Sequence, residues 1–442
     1  MRDLFSRAIK LSGTYAIGNI ILRIARIAII PISTFYLDPK DYGILALMAI
    51  TVAAINKLVS TPVKTALNRY YYYPKYQDIQ GVLTFNLGVA LLLSGVVISI
   101  AYWLSVDLLN RLLGVGDQYI VVVKAFLFIL ILEPWRDFLS ALLQIRERAG
   151  YVVGVQVVRK MSDMLVTVVC LITFKMGVMA VVLGQIVSLV LCVLLYLPPY
   201  IKELTARFSF QTIKEPLQFG WTRIFVGYSR LLIQGGDRYL MKFFRSVSDV
   251  GLYNFGCKLA ETLGTVVLSP IRQGFWPTIM KLESEPDQQR EFIRRTTTYA
   301  CLGGAFAALV IGVFSQDIIM ILASRPSFWG AWVVVPIVAM SYLLETIAIF
   351  GNAGMILAKK GALSSAVLVT SALVNLGANI ILIPLMGIIG AAVSTVISFV
   401  VWIFLSFYFS ARLYQIHFDL RRLAQVLTIT CLVGWVSIFL PS

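Results

Sequence analysis

About thirteen apolar runs of near 20 residues follow one another along this chain, separated by short polar loops, and no single motif restricts the fold as much. In hydrocarbon every backbone N–H and C=O must find its partner within the protein, so only helices or a closed barrel can cross. These runs are too long for barrel strands, and their period is helical. The expected helices cover 11–37, 43–67, 80–105, 119–145, 151–174, 177–199, 217–244, 250–279, 296–320, 329–357, 361–384, 387–411 and 423–440. Composition agrees with an all-α polytopic membrane protein: 14% of residues are charged, against roughly 25% in soluble domains. No cleavable signal peptide is expected, because the first run is too long and carries arginines.

The chain also repeats itself at a constant offset of 208 positions. Phe35-Tyr36-Leu37-Asp38-Pro39-Lys40-Asp41-Tyr42-Gly43-Ile44 lines up with Phe243-Phe244-Arg245-Ser246-Val247-Ser248-Asp249-Val250-Gly251-Leu252. The register holds without a gap to Pro62 and Lys64, matched by Pro270 and Arg272. Two equivalent halves predict an N-terminal six-helix bundle (1–200), a cytoplasmic linker (201–216), and a C-terminal six-helix bundle (217–412). A further loop and helix (413–442) follow. Membrane proteins built this way bind substrate between their halves and work by rocking one against the other.

Charge sets the orientation. One set of alternate loops holds 20 lysines and arginines, from Arg2, Arg7 and Lys10 to Arg412, Arg421 and Arg422. The opposite set holds five: Lys40, Arg111, Lys175, Arg245 and Arg325. This alternation is the positive-inside pattern, so the N-terminus is expected in the cytoplasm of a multi-pass protein of the cytoplasmic membrane. The net charge of +16 is thereby accounted for without nucleic acid. Five cysteines lie in apolar runs without close pairing and His417 lies in a polar loop, which leaves no metal site or histidine catalysis to expect.

The runs carry many ionisable residues, and a charge near the bilayer centre normally faces a partner or a watery cavity. On the first helix Ser12, Tyr15, Asn19, Arg23, Arg26 and Ser33 fall within an arc of roughly 80°. Lys57, Ser60, Lys64 and Asn68 share a stripe on the second, and Arg223, Arg230, Gln234 and Asp237 on the seventh. Asn254, Lys258, Glu261, Thr265 and Arg272 share one on the eighth. Since these four helices are repeat equivalents in pairs, the stripes are expected to line one cavity. With Glu133, Arg136 and Asp137, with Arg159, Lys160 and Asp163, and with Arg238 and Glu345, twelve cations face six acids. The cavity is therefore expected to be cationic and to attract an anion. The competing reading is snorkelling for Lys64, Arg136, Arg159, Lys160, Arg223 and Arg272, which lie toward cytoplasmic ends. Asp163 with Lys160 or Arg159, and Asp237 with Arg238, are expected as structural ion pairs. Pro62 and Pro270 are expected to kink the second and eighth helices.

The motif after the first helix, Tyr36-Leu37-Asp38-Pro39-Lys40-Asp41-Tyr42-Gly43, resembles the polysaccharide-export branch of the multidrug/oligosaccharidyl-lipid/polysaccharide (MOP) exporter superfamily. So does Gly236-Asp237-Arg238-Tyr239 followed by Asp249-Val250-Gly251-Leu252-Tyr253 and Lys258. The branch comprises the Wzx-type oligosaccharide flippases. The resemblance implies two six-helix bundles in a V around a cationic cavity, with a lone thirteenth helix departing from the usual pairing. It also implies transfer of a polyprenyl-diphosphate-linked oligosaccharide from the cytoplasmic to the outer leaflet. On that reading Arg23, Arg26, Lys57, Lys64, Arg230, Lys258 and Arg272 are candidate substrate contacts, and Glu261 or Glu345 candidates for coupling to H+ or Na+. No other cofactor is expected. Partners would be the lipid-linked oligosaccharide, membrane lipids and other polysaccharide-assembly proteins. A lipid II flippase and a multidrug exporter are the alternatives, and a membrane glycan polymerase or ligase a more distant one. The lack of a phosphate-cradling glycine loop argues against an ATP-driven pump.

Overall fold

The computed structural model describes residues 27–202 and 204–439, and among these no β-strand occurs. The N-terminal portion of the first expected helix therefore lies outside the described residues, and α1 (Ile30–Tyr36) is its end. Long helices follow: α2 (Pro39–Tyr70), α3 (Gln80–Leu113), α4 (Ile120–Ile145), α5 (Ala149–Ile172) and α6 (Val178–Ile201). A short α7 (Phe210–Trp221) leads to α8 (Ile224–Phe244) and α9 (Val247–Leu263). A π turn (Gly264–Leu268) joins α9 to α10 (Ser269–Lys281). The chain continues through α11 (Pro286–Val313), α12 (Ser315–Leu322), α13 (Val334–Gly351), α14 (Ala353–Leu357), α15 (Gly361–Met386), α16 (Ile388–Tyr414) and α17 (Leu420–Phe439).

Among the described residues, eight helical stretches are long and apolar enough to span a membrane. Neither α5, with Arg159, Lys160 and Asp163, nor α8, with Arg230, Asp237, Arg238 and Lys242, is among them. Both are long enough, so it is the charges within them that set these two apart.

The 208-residue offset runs through the secondary structure as well as the motifs. Shifted by it, Pro39–Tyr70 falls on 247–278, covered by α9, the π turn and α10. Likewise α4 falls on 328–353, around α13, and α6 on 386–409, within two residues of the start of α16. At the repeated motif the local physics is visible. The Asp41 N–H donates to Asp38 Oδ1 at 2.9 Å while the Asp38 N–H donates to Asp41 Oδ2 at 3.1 Å. In the second copy the Asp249 N–H donates to Ser246 Oγ at 3.1 Å, and the Ser246 hydroxyl donates to the Asp249 carboxylate at 2.8 Å. Each is a capping arrangement that satisfies N–H groups the first helical turn leaves open.

Contacts divide the chain into two units, one reaching Leu37 and then covering Ile44–Tyr228, the other covering Asp38–Gly43 and the chain from Ser229 on. The first unit is centred on Leu83, Leu87, Phe138, Leu142, Tyr196 and Tyr200, from α3, α4 and α6. In it α7 docks by Ile213 and Pro216, and Gly220 lies so near α2 that a Cβ would meet the Pro62 carbonyl oxygen at 2.2 Å. At the rim Lys75 holds Glu215 at 2.7 Å, and this hydrogen bond keeps the Glu215 carboxyl below its usual range. The second unit packs Phe275 and Ile279 of α10 on Ile293 of α11 and Phe350 of α13, with Phe275 and Phe350 rings 4.1 Å apart.

The repeated glycines serve close approach within the second unit. A Cβ on Gly43 would stand 1.9 Å from the Val247 carbonyl oxygen, and one on Gly251 would stand 1.7 Å from that of Pro39. Backbone cannot yield as a side-chain tip can. Gly251→Ala should therefore cost about 1–3 kcal/mol by forced separation of the two helix starts. A lower melting temperature of the purified variant in detergent, with Gly274→Ala as an unobstructed control, checks this.

Candidate functional site

Each unit holds a polar cavity between its helices. In the first, α2 presents Asn56, Lys57, Lys64 and Asn68 at helical spacing, and α4 presents Glu133 and Asp137, around a volume of about 390 Å³. The Asn56 amide donates to Glu133 Oε2 at 2.8 Å. Arg136 bridges the two acids of its own helix, 3.1 Å from Glu133 and 2.7 Å from Asp137. Lys64 is exposed and makes no ion pair among the described residues.

In the second unit a cavity of about 630 Å³ is lined by Arg230, Gln234 and Asp237 of α8, Glu261 of α9, Arg272 of α10 and Glu345 of α13. Arg272 Nη1 stands 3.6 Å from Glu345 Oε2, and the Gln234 amide donates to Glu345 Oε1 at 3.5 Å. Arg272 Nη2 also donates to the Gly264 carbonyl at 3.4 Å. On the cavity wall Arg238 pairs with Asp237 at 2.8 Å, with side chains 11% and 2% exposed. Tyr253 donates to the other oxygen of Asp237 at 2.6 Å.

The two cavities are repeat equivalents. Under the offset of 208, Lys64 becomes Arg272, Asp137 becomes Glu345, Asn56 becomes Gly264 and Lys57 becomes Thr265, all lining residues. Their described linings are charge-balanced: Lys57 and Lys64 face Glu133 and Asp137, while Arg230, Arg238 and Arg272 face Asp237, Glu261 and Glu345. Charges placed in this way combine partners with water access, the condition for keeping them in a membrane. An anion entering either cavity meets cations that already have, or stand beside, carboxylates.

Of the candidate residues, Arg23 and Arg26 lie outside the described residues. Lys57, Lys64, Arg230, Glu261, Arg272 and Glu345 line the cavities. Lys258 does not line the second cavity; its ammonium lies 5.1 Å from the centre of the Tyr42 ring. Lys160 and Asp163 pair at 2.7 Å along α5. Pro62 lies inside the unbroken α2, whereas Pro270 directly follows the π turn, in the first turn of α10. Asn56 was not among the candidate contacts, though its repeat relation to Gly264 and its place one turn before Ser60 mark it. The pairing of Asp137 with Glu345 across the offset was likewise there to be read. Among the described residues no cluster of ligands fit for a metal ion occurs.

Residues 36–325 match the family model described as polysaccharide biosynthesis protein. No curated protein matches the chain by sequence. The fold is similar to that of the lipid II flippase MurJ in an inward closed conformation, with TM-score 0.74 and 11% identity over 97% of each chain. It is also similar to an inward-facing multidrug resistance MATE family transporter of the MOP superfamily, with TM-score 0.73 and 13% identity, covering 93% of this chain and 98% of that one. A Vibrio cholerae MATE transporter, VcmN in its bent form, gives TM-score 0.61 and 13% identity over 95% and 99% of the two chains. The fold is thus that of the MOP superfamily, all-α and built from two repeated bundles.

Proposed function

The chain belongs to the polysaccharide biosynthesis protein family, and from that membership we propose that it is a flippase, and not an enzyme. Its cargo is a polyprenyl-diphosphate-linked oligosaccharide, moved from the cytoplasmic to the outer leaflet by alternating access. The observation that carries the reading is the repeat-related pair of polar cavities, each with a cation on the second helix of its bundle, in a chain whose described residues hold eight helical stretches apolar enough for lipid. A diphosphate crosses hydrocarbon only if something replaces its hydration. Lysine and arginine in a wet cavity do this, arginine with a planar fork matched to phosphate oxygens. The glycan would share the wet space, and the polyprenyl chain would stay in lipid. Arg23 and Arg26 would supply the excess positive charge that the described lining lacks. Glu261 or Glu345 would couple the cycle to H+ or Na+. The protein would sit in the cytoplasmic membrane with its N-terminus inside, beside the enzymes that build the glycan.

The direct test neutralises Arg23 and Arg26 together at unchanged protein level. Loss of surface polysaccharide is expected, and undiminished export would sink the reading. Likeness to a lipid II flippase favours one second reading, in which the diphosphate-linked cargo is a peptidoglycan precursor. Rescue of cells depleted of their own lipid II flippase would select it; failure to rescue, with restored surface glycan in an export-deficient strain, is the result expected here.

A further inference from the structure

The two cavities share a plan but are wired differently. In the first unit Asp137 is taken by its helix neighbour Arg136 at 2.7 Å, and Lys64 stands exposed. The equivalent of Arg136 in the second unit is Leu344, which is buried. With no cation beside it on its own helix, Glu345 reaches across to Arg272 on α10 at 3.6 Å. The helices diverge at the same level. Helix α2 is continuous through 56–60, whereas the equivalent 264–268 is a π turn. Arg272 bridges that turn: it donates to the Gly264 carbonyl, which also accepts the N–H of Ser269. One guanidinium therefore adds a polar tie between the π turn and α13, beside the packing of Gly264 against the Tyr342 ring. Such turns are rare and lie frequently at functional sites.

We propose that Arg272 is an exchangeable latch. The anionic head group competes with Glu345 for it, and by taking it releases the helix at Gly264–Leu268, while Lys64 is a fixed docking contact that moves nothing. The proposal rests on the diphosphate reading above. A guanidinium–phosphate pair is short and bidentate, so it outcompetes a carboxylate contact at 3.6 Å. Arg230 lines the same cavity and takes over neutralisation of Glu345 when Arg272 turns away. Among the described residues the first unit has no such element, because Arg136 already pairs with Asp137.

The test titrates the purified full chain with inorganic pyrophosphate by calorimetry and follows amide hydrogen exchange across residues 262–270. In the unmodified protein pyrophosphate should bind and should speed exchange over the π turn. Glu345→Gln should bind about tenfold more tightly, equivalent to about 1.4 kcal/mol, with exchange already fast before ligand is added. Arg272→Gln should show fast exchange that pyrophosphate no longer alters. Lys64→Gln should weaken binding while leaving unliganded exchange as it was. Glu345→Asp, which keeps the acid, should stay near the unmodified protein and so separates loss of charge from loss of folding. Binding to Glu345→Gln that is no tighter than to the unmodified protein, or exchange that pyrophosphate leaves unchanged, overturns the latch and leaves the diphosphate reading standing. No pyrophosphate binding by any variant, in a chain that still restores surface glycan in cells, overturns the diphosphate reading and the latch with it.

Discussion

Cells whose only copy carries Lys64→Gln together with Arg272→Gln should lose surface polysaccharide by at least ~100-fold. Hydrogen bonds to a charged partner contribute about 1.5–3 kcal/mol each, and two lost from one moving anion compound to that ratio. The choice of residues comes from the repeat: each is the cation that the offset of 208 puts on the second helix of its bundle, facing a cavity. The single variants should differ in kind. Lys64→Gln should act on apparent affinity, being recoverable by more substrate. Arg272→Gln should act on turnover as well, since it removes the polar tie between the π turn and α13. Glutamine keeps a polar, hydrogen-bonding side chain in place, so protein level and melting temperature should hold for Lys64→Gln, whose side chain is exposed. Quantifying surface glycan against membrane-extracted protein checks the prediction. Export within a few-fold of normal in the double variant would remove both cavities from the transport path.

Much of the fold was legible because the bilayer enforces it. A backbone that must satisfy itself in hydrocarbon leaves helices of near 20 residues, and their apolar runs show directly in the chain. The repeat was legible because capping and close packing allow few substitutes. Asp41 and Asp249 each close a helix start, and Gly43 and Gly251 each meet backbone where no Cβ fits. The site was only partly legible. Periodicity put Lys57 and Lys64, or Glu261 and Arg272, on common stripes, and they do line cavities. Sequence proximity also named two pairs that form, Lys160 with Asp163 and Arg238 with Asp237, but it gave no way to choose the other partners. Arg136 settles on Asp137 and Glu133, through side-chain torsions that a pattern of residue types does not encode. The π turn was illegible for a different reason. Gly264-Thr265-Val266-Val267-Leu268 reads as ordinary apolar helix, and the extra residue per turn is fixed by packing, with Gly264 against the Tyr342 ring. The expected excess of positive charge likewise came from counting residues along the chain. The described linings carry as many carboxylates as cations, which lowers the cost of keeping the cations in lipid.

The most destabilising single change should be Asp237→Ala, at about 3–5 kcal/mol. Asp237 is 2% exposed at its side chain and accepts from both Arg238 at 2.8 Å and Tyr253 at 2.6 Å. Arg238 also lies over the Tyr253 ring, 5.2 Å from its centre, so the three groups form one connected unit, and Arg238 donates in addition to the Gln234 carbonyl. Removing the carboxylate strands a guanidinium that is 11% exposed, among helices where solvent does not compensate. Removing both charges strands no charge, only the Tyr253 hydroxyl, which loses its acceptor. The paired variant Asp237→Leu with Arg238→Leu should therefore melt nearer the unmodified protein than Asp237→Ala does, as buried pairs replaced together commonly do. Tyr253→Phe keeps the ion pair but removes one donor, and should cost about 1–3 kcal/mol, the penalty of one unmet hydrogen bond. Thermal melting of the three variants in one detergent orders them: Asp237→Ala lowest, the others above it. If Asp237→Ala and the double variant melt together, the acid contributes packing alone, and the case for a charge unit built into the cavity wall is lost. If they separate as expected, the wall of the second cavity is rigid on the Asp237 side. Movement of Arg272 and the π turn would then take place against a fixed frame.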